Sequence, residues 1–113
     1  MRGGARKTTI REILDLALEL ERQTMSVYAS LAREFESNPE LRRFWFDMAR
    51  HEAAHCGALM LVEACLDGQP ELGRDARILF DETTAVRLRS LLVAYRREIR
   101  RGVALERALE MTV

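Results

Sequence analysis

Three ionisable side chains occupy positions that should be apolar if the chain folds into packed helices. Residues spaced alternately four and three apart form a first stripe of Leu14, Leu18, Glu21, Met25, Tyr28, Ala32 and Phe35. The same spacing gives a second stripe of Leu41, Trp45, Met48, Glu52, His55, Leu59, Val62 and Leu66. Stripes of this kind face the core of a helical bundle. The two glutamates and the histidine are therefore the residues whose chemistry needs an explanation.

The two glutamates are predicted to lie at one level of a helical hairpin. A short connection around Ser37 makes the two helices antiparallel, with Glu21 16 residues before it and Glu52 15 residues after it. The difference of one residue corresponds to about 1.5 Å along the axis. Two carboxylates that meet in a core repel unless one takes a proton or a cation lies between them. The neighbouring imidazole of His55 favours a cation, and iron, manganese or zinc suits this mixed donor set.

A second motif overlaps the same residues and gives a first alternative. Residues 51–55 read HEAAH, which matches the H-E-x-x-H helix of zinc metallopeptidases. In that interpretation His51 and His55 bind zinc and Glu52 activates a water molecule. The motif leaves Glu21 unexplained, no histidine follows His55, and His51 lies about 100° around the helix from Glu52.

A second alternative needs no metal. Glu21 and His55 would form a buried ion pair that sets the register of the two helices, with Glu52 turned to solvent. The chain would then be a helical interaction module.

Helix-start signals divide the chain into helices. Thr9-x-x-Glu12 is a capping box that opens the first helix, and Asn38 followed by Pro39 opens the second. The predicted helices span residues 10–36, 39–66, 82–101 and 103–113, with one helical turn at 76–80 and no strand. The predicted organisation is a single all-α domain over 1–113, with a flexible tail 1–8, a ligand-bearing hairpin 10–66, a loop 67–74 and crossover or accessory helices 75–113.

Composition excludes several classes of function. The chain has 113 residues, 48% hydrophobic and 32% charged, as expected for one globular domain. Eighteen basic residues balance 18 acidic ones, so no net charge favours nucleic acid or an anionic membrane as a partner. We find no signal peptide and no apolar run long enough to span a bilayer. Cys56 and Cys65 are too far apart along one helix to form a disulfide, and we expect a cytoplasmic protein.

The hairpin resembles one half of a ferritin-like di-iron carboxylate bundle, and the rubrerythrins are the most similar group. The resemblance rests on Glu21-x6-Tyr28 in LDLALELERQTMSVYASLA and on Glu52-x-x-His55 in NPELRRFWFDMARHEAAH. It implies that Glu21 is a terminal ligand, that Glu52 bridges two irons and that His55 caps one of them. It also implies that Tyr28 lies near the site as a hydrogen-bond or redox partner. The implied activity is that of a ferroxidase-type or peroxidase-type oxidoreductase supplied by an electron donor.

Two features depart from the family pattern. A complete site needs a second Glu and a second Glu-x-x-His on further helices, and this chain has no histidine after His55. Rubrerythrins proper also carry a Cys-x-x-Cys iron module, which this sequence lacks. We therefore expect the four-helix bundle to be completed by dimerisation or by a missing second half. A missing second half is suggested by the sequence ALEM at 108–111, which is similar to ALEL at 17–20. A homodimer would bring four carboxylates and two imidazoles together.

Overall fold

The first long helix begins where its capping box predicts. The computed structural model describes residues 5–69 and 76–112. Helix α1 spans Ile10–Glu34, and the Thr9 hydroxyl accepts a hydrogen bond from the Glu12 N–H at 3.1 Å. The Glu12 carboxylate in turn accepts from the Thr9 N–H at 2.9 Å, so two donors at the helix start are satisfied reciprocally. The helix ends two residues before the predicted boundary.

The second long helix returns beside the first after a four-residue connection. Helix α2 spans Pro39–Gly68, and the Asn38 carboxamide oxygen accepts from the N–H groups of Glu40 and Leu41 at 3.1 and 3.2 Å. Proline lacks an N–H, but at the first helical position this loses no hydrogen bond, because an N–H there has no acceptor inside the helix. The predicted helix start is confirmed, and the helix runs two residues beyond its predicted end.

Two shorter helices follow. Helix α3 spans Thr83–Arg100, and helix α4 spans Leu105–Glu110. Gly102 ends α3 with a φ of 97°. Residues that carry a Cβ atom rarely adopt this left-handed backbone conformation. Helix α1 is central, because it packs against α2 on one side and against α3 on the other. No helix within residues 5–69 or 76–112 is both long enough and apolar enough to cross a membrane.

A small antiparallel sheet corrects two sequence predictions. Strand β1 (Ala5–Thr9) pairs with strand β2 (Arg77–Asp81), so that Ala5 lies opposite Asp81 and Thr9 opposite Arg77. The predicted flexible tail is therefore wrong for residues 5–8, and the predicted helical turn at 76–80 is wrong for residues 77–80. Neither segment alternates polar and apolar residues, because both are largely exposed. Their extended form comes from pairing across about 70 residues of sequence, which no local pattern reveals.

The remaining predicted segments can be compared only in part. Asp67 and Gly68 of the predicted loop 67–74 end helix α2, while residues 70–75 lie outside the described part of the chain. Residues 1–4 of the predicted tail lie outside it as well.

The hydrophobic core lies where α1, α2, α3 and the end of the chain meet. Trp45 is fully buried, and its indole N–H donates to the Thr112 hydroxyl at 2.9 Å. Its ring centroid lies 5.1 Å from that of Phe35. Phe44 and Phe46 on either side are 44% and 56% exposed, as the helix period requires of three consecutive aromatic residues. The other buried members are Val27, Tyr28, Leu31, Ala32, Ala49, Leu92, Ile99, Ala108 and Met111.

The molecule is more extended than a compact domain of its length. Its radius of gyration is 16.7 Å, compared with about 13 Å expected for 113 residues. The second half of α2 contributes to this shape and leaves several apolar side chains exposed, namely Met60, Leu61 and Val62. Folding of the described residues therefore leaves apolar surface along α2 that is available to another helix.

Candidate metal centre

Glu21, Glu52 and His55 form one cluster on the α1–α2 hairpin. The Nδ1 atom of His55 lies 2.7 Å from an Oε2 atom of Glu21 and 3.3 Å from an Oε2 atom of Glu52. One ligand atom from each residue lies within 4.8 Å of the others. The structure thus brings together the three residues that the stripes and the shared level singled out. No other group of three His, Cys, Asp or Glu side chains in residues 5–69 and 76–112 is as closely spaced.

The cluster is open on one side. The side chain of Glu52 is 15% exposed, that of Glu21 is 28% exposed and that of His55 is 48% exposed. We predicted these residues inside the core of the hairpin, and this expectation is wrong for His55. Two packed helices shield the side chains that point into their interface. A side chain at the edge of that interface stays exposed to solvent. Closing the cluster requires a further element.

The electrostatics of the cluster favour a bound positive charge. Burial raises the pKa of Glu52, and the hydrogen bond and charge of Glu21 raise it further. The pKa of His55 is raised mainly by its hydrogen bond to Glu21, with a further contribution from Glu52. The two carboxylates therefore favour a positive charge between them, and a proton on His55 is one source of it. A cation bound by the three side chains would replace that proton.

The two donor separations measured from His55 are compatible with a transition-metal ion. Metal–nitrogen and metal–oxygen bonds of about 2.0 to 2.2 Å place two adjacent ligand atoms roughly 3 Å apart when the bonds are perpendicular. The measured separations of 2.7 and 3.3 Å lie on either side of that value. Carboxylate oxygen with imidazole nitrogen is also the donor set expected for iron, manganese or zinc.

The metal-free alternative is reproduced only in part. Glu21 and His55 do form an ion pair, but it is partly exposed rather than buried. Glu52 is not turned to solvent, since it is the least exposed of the three side chains and also contacts His55. The predicted geometry of a buried pair with a solvent-facing Glu52 is therefore wrong on both points.

His51 lies beside the cluster without being part of it. Its ring packs edge-on against the ring of His55, with centroids 4.5 Å apart and an interplanar angle of 79°. His51 is exposed, and the group of closely spaced ligand atoms does not include it. The zinc-peptidase alternative needs His51 as a ligand together with His55.

Two further residues, Tyr28 and Cys56, lie outside the cluster. Tyr28 is 2% exposed in the hydrophobic core, two helical turns and about 10 Å along α1 from Glu21, so its role as a redox or hydrogen-bond partner stays a prediction. For Cys56 the sequence by itself excluded only a disulfide with Cys65. It is buried one turn after Glu52, and burial together with the charge of Glu21 raises the pKa of its thiol. The sequence signal that places Cys56 near the site is its position four residues, or about one helical turn, after Glu52.

Comparison with known proteins gives one match. The family model for rubrerythrin matches residues 12–110, a range that includes the whole cluster and most of helices α1 to α4. No curated protein and no solved structure matches the chain significantly.

Proposed function

The chain belongs to the rubrerythrin family of ferritin-like proteins, and from this premise we propose that it binds iron through Glu21, Glu52 and His55 for redox chemistry. The observation that supports the proposal most directly is the convergence of two carboxylates and an imidazole from two helices at 2.7 and 3.3 Å. In this proposal Glu21 and His55 would be terminal ligands, and Glu52 would be the ligand shared by two metal ions. Manganese and zinc are the other ions that this donor set suits.

The protein's own residues control charge and access at the site. His55 gives up its proton to become a ligand, and the raised pKa means that metal and proton compete for the same place. Glu52 is the most shielded of the three and is suited to hold the position between two ions. Bound iron would supply electron transfer to O₂ or peroxide, as a ferroxidase or a peroxidase does. Turnover of that kind needs an electron donor, which we propose as a second partner.

We propose that a second copy of the chain closes the site. Three side chains are too few to hold two metal ions, whereas di-iron bundles use four carboxylates and two imidazoles. A two-fold axis near the cluster supplies that set by doubling Glu21, Glu52 and His55. Val62, two turns beyond His55 on the same stripe of α2, is 45% exposed and offers apolar surface for this contact. Because the contact brings four carboxylates together, dimerisation should be tighter when metal is bound.

The direct test is metal analysis of protein purified with iron, combined with its mass in solution by sedimentation. We expect about two irons per pair of chains. We place the protein in the cytoplasm, where an exposed thiol such as that of Cys65 stays reduced, so purification should use reducing conditions. Zinc whose binding requires His51 would favour a metallopeptidase-like protein. A dimer that takes up no metal would favour the helical interaction module.

A further inference from the structure

A polar cleft lies away from the metal cluster, between helices α1 and α3. Its volume is about 370 Å³, and the residues that line it are Ser30, Arg33, Glu34, Arg96, Ile99 and Arg100. Ser30 is nine residues from Glu21, or about 13 Å along α1, so the two sites are separate. Three guanidinium groups thus share one cleft with a single carboxylate and a single hydroxyl.

The described residues neutralise only part of the positive charge of the cleft, since one carboxylate faces three guanidinium groups. Arg96 donates to the Gln23 side-chain oxygen at 3.1 Å, which is an uncharged acceptor. Within residues 5–69 and 76–112, the guanidinium groups of Arg33 and Arg100 form no hydrogen bond or ion pair. The one acidic residue, Glu34, accepts a hydrogen bond from the Val103 N–H at 3.4 Å instead.

Arg107 of helix α4 shows the opposite arrangement. Arg107 donates two hydrogen bonds to the Glu98 carboxylate, at 2.8 and 3.0 Å, and a third to Glu110 at 3.1 Å. That pairing lowers the pKa of Glu98. The cleft therefore differs from its surroundings in collecting arginines without matching carboxylates.

Placing these like charges together has a small electrostatic cost, which a bound anion would offset. Arg96 and Arg100 are four residues apart on α3, a spacing at which like charges destabilise a helix. Arg33 adds a third positive charge from α1. Guanidinium groups present paired N–H donors that match the oxygens of a phosphate, and the Ser30 hydroxyl offers a further donor.

We propose that this cleft binds a phosphate group, either as inorganic phosphate or as the phosphomonoester of a small molecule. Arg33 and Arg100 hold the phosphate oxygens from opposite helices, and Arg96 adds a third contact while it keeps its bond to Gln23. A phosphate held in this way links α3 to α1 and stabilises the position of α3. The proposal does not depend on the metal site, so it can be tested on metal-free protein.

The test is calorimetric titration of the full chain, stripped of metal, with inorganic phosphate and separately with glucose 6-phosphate. Sulfate and chloride at equal ionic strength are the comparison anions. The double variant Arg33→Gln/Arg100→Gln removes two cleft donors. The matched control Arg97→Gln/Arg101→Gln removes the same charge from exposed positions at the same end of α3 that do not line the cleft.

We expect saturable phosphate binding that raises the melting temperature, weakened at least tenfold in the cleft variant and unchanged in the control variant. Tighter binding of glucose 6-phosphate than of phosphate identifies a phosphomonoester site, and the reverse identifies a site for the free ion. Equal weakening in both double variants would show attraction to general positive charge and would overturn the proposal. Equal responses to phosphate and chloride, or no binding at millimolar phosphate by a folded protein, would also overturn it.

Discussion

The imidazole of His55 on α2 lies with its Nδ1 atom 2.7 Å from a carboxylate oxygen of Glu21 on α1, although 34 residues separate them in the chain. The same nitrogen is 3.3 Å from Glu52. A proton on His55 is therefore placed between two acceptors, which raises the pKa of the imidazole. A metal ion bound by the three side chains would take the place of that proton. Competition between proton and metal underlies the behaviour that we expect of this site.

Removal of one central ligand should abolish metal binding. We expect Glu52→Ala to lose bound iron, because Glu52 is the most shielded donor and contacts His55. His51→Ala should keep most of the iron, since His51 is exposed and outside the group of ligand atoms. Equilibrium dialysis with metal analysis measures both. Loss of a bound zinc ion from His51→Ala would instead support the zinc-peptidase alternative.

Iron affinity should increase with pH. His55 must lose its proton to become a ligand, and its pKa is raised above the ordinary value of 6.5 by Glu21. Affinity should therefore still be rising above pH 6.5. Titrations between about pH 6 and 8, in buffers of different ionisation enthalpy, measure the affinity and the protons released. Constant affinity over this range would mean that His55 is not a ligand.

Neutralising Glu52 should stabilise the metal-free protein. Burial and Glu21 raise the pKa of Glu52, so its ionised form is less favourable in the folded state than in the unfolded state. The cost begins as the pH rises above the ordinary value of 4.5 and is complete above the raised pKa. We expect Glu52→Gln to increase the free energy of unfolding near pH 8 by on the order of 1 kcal/mol, measured by urea denaturation.

The converse result has a clear meaning. If Glu52→Gln destabilises the metal-free protein, the contact between Glu52 and His55 contributes more than the repulsion between the two glutamates. Together with a melting temperature that iron does not change, that result would favour the ion-pair account over the metal site.

A charge on the stripe of α2 should separate the proposed dimer. Val62 is 45% exposed in the single chain, so Val62→Arg should leave the fold intact while preventing association. The matched control is Ala64→Arg, at an exposed position about 200° away around the helix. Sedimentation with iron should show a dimer for the parent chain and for Ala64→Arg, and a monomer with less iron for Val62→Arg. A folded monomer that holds two irons would contradict the proposed assembly.

The start of α1 should weaken in acid. The Thr9 N–H and the Thr8 and Thr9 hydroxyls hydrogen-bond the Glu12 carboxylate and lower its pKa from 4.5 to about 2. Glu12 therefore contributes stability above the unfolded value of 4.5, and this contribution is lost as the pH falls from there toward 2. Glu12→Gln should be less stable than the parent at neutral pH and should lose less stability on acidification.

Urea denaturation at several pH values measures this contribution. Glu36→Gln is the control, because Glu36 is exposed and its carboxylate forms no hydrogen bond within residues 5–69 and 76–112. An acid response of Glu12→Gln identical to that of the parent would show that the capping box does not contribute.

The starts of helices α1 and α2 were predictable because their causes are local. Thr9 with Glu12, and Asn38 with the N–H groups two and three residues later, satisfy backbone donors within one turn. The contact between Glu21 and the α2 residues was predictable for a related reason. The rise per residue is constant, so equal distances from a short turn become equal heights in the hairpin.

Other features depended on contacts that no local pattern encodes. Strands β1 and β2 are extended because each supplies hydrogen-bonding partners to the other, and neither has the alternation of a half-buried strand. His55 is exposed because the packing of α1 against α2 does not shield its side chain from solvent. The cleft between Arg33 and Arg100 exists because α3 packs against α1, whereas the sequence of α3 does not specify which helix it contacts. Spacing along one helix determines which residues share a face, but the packing of helices determines which faces meet and which stay open.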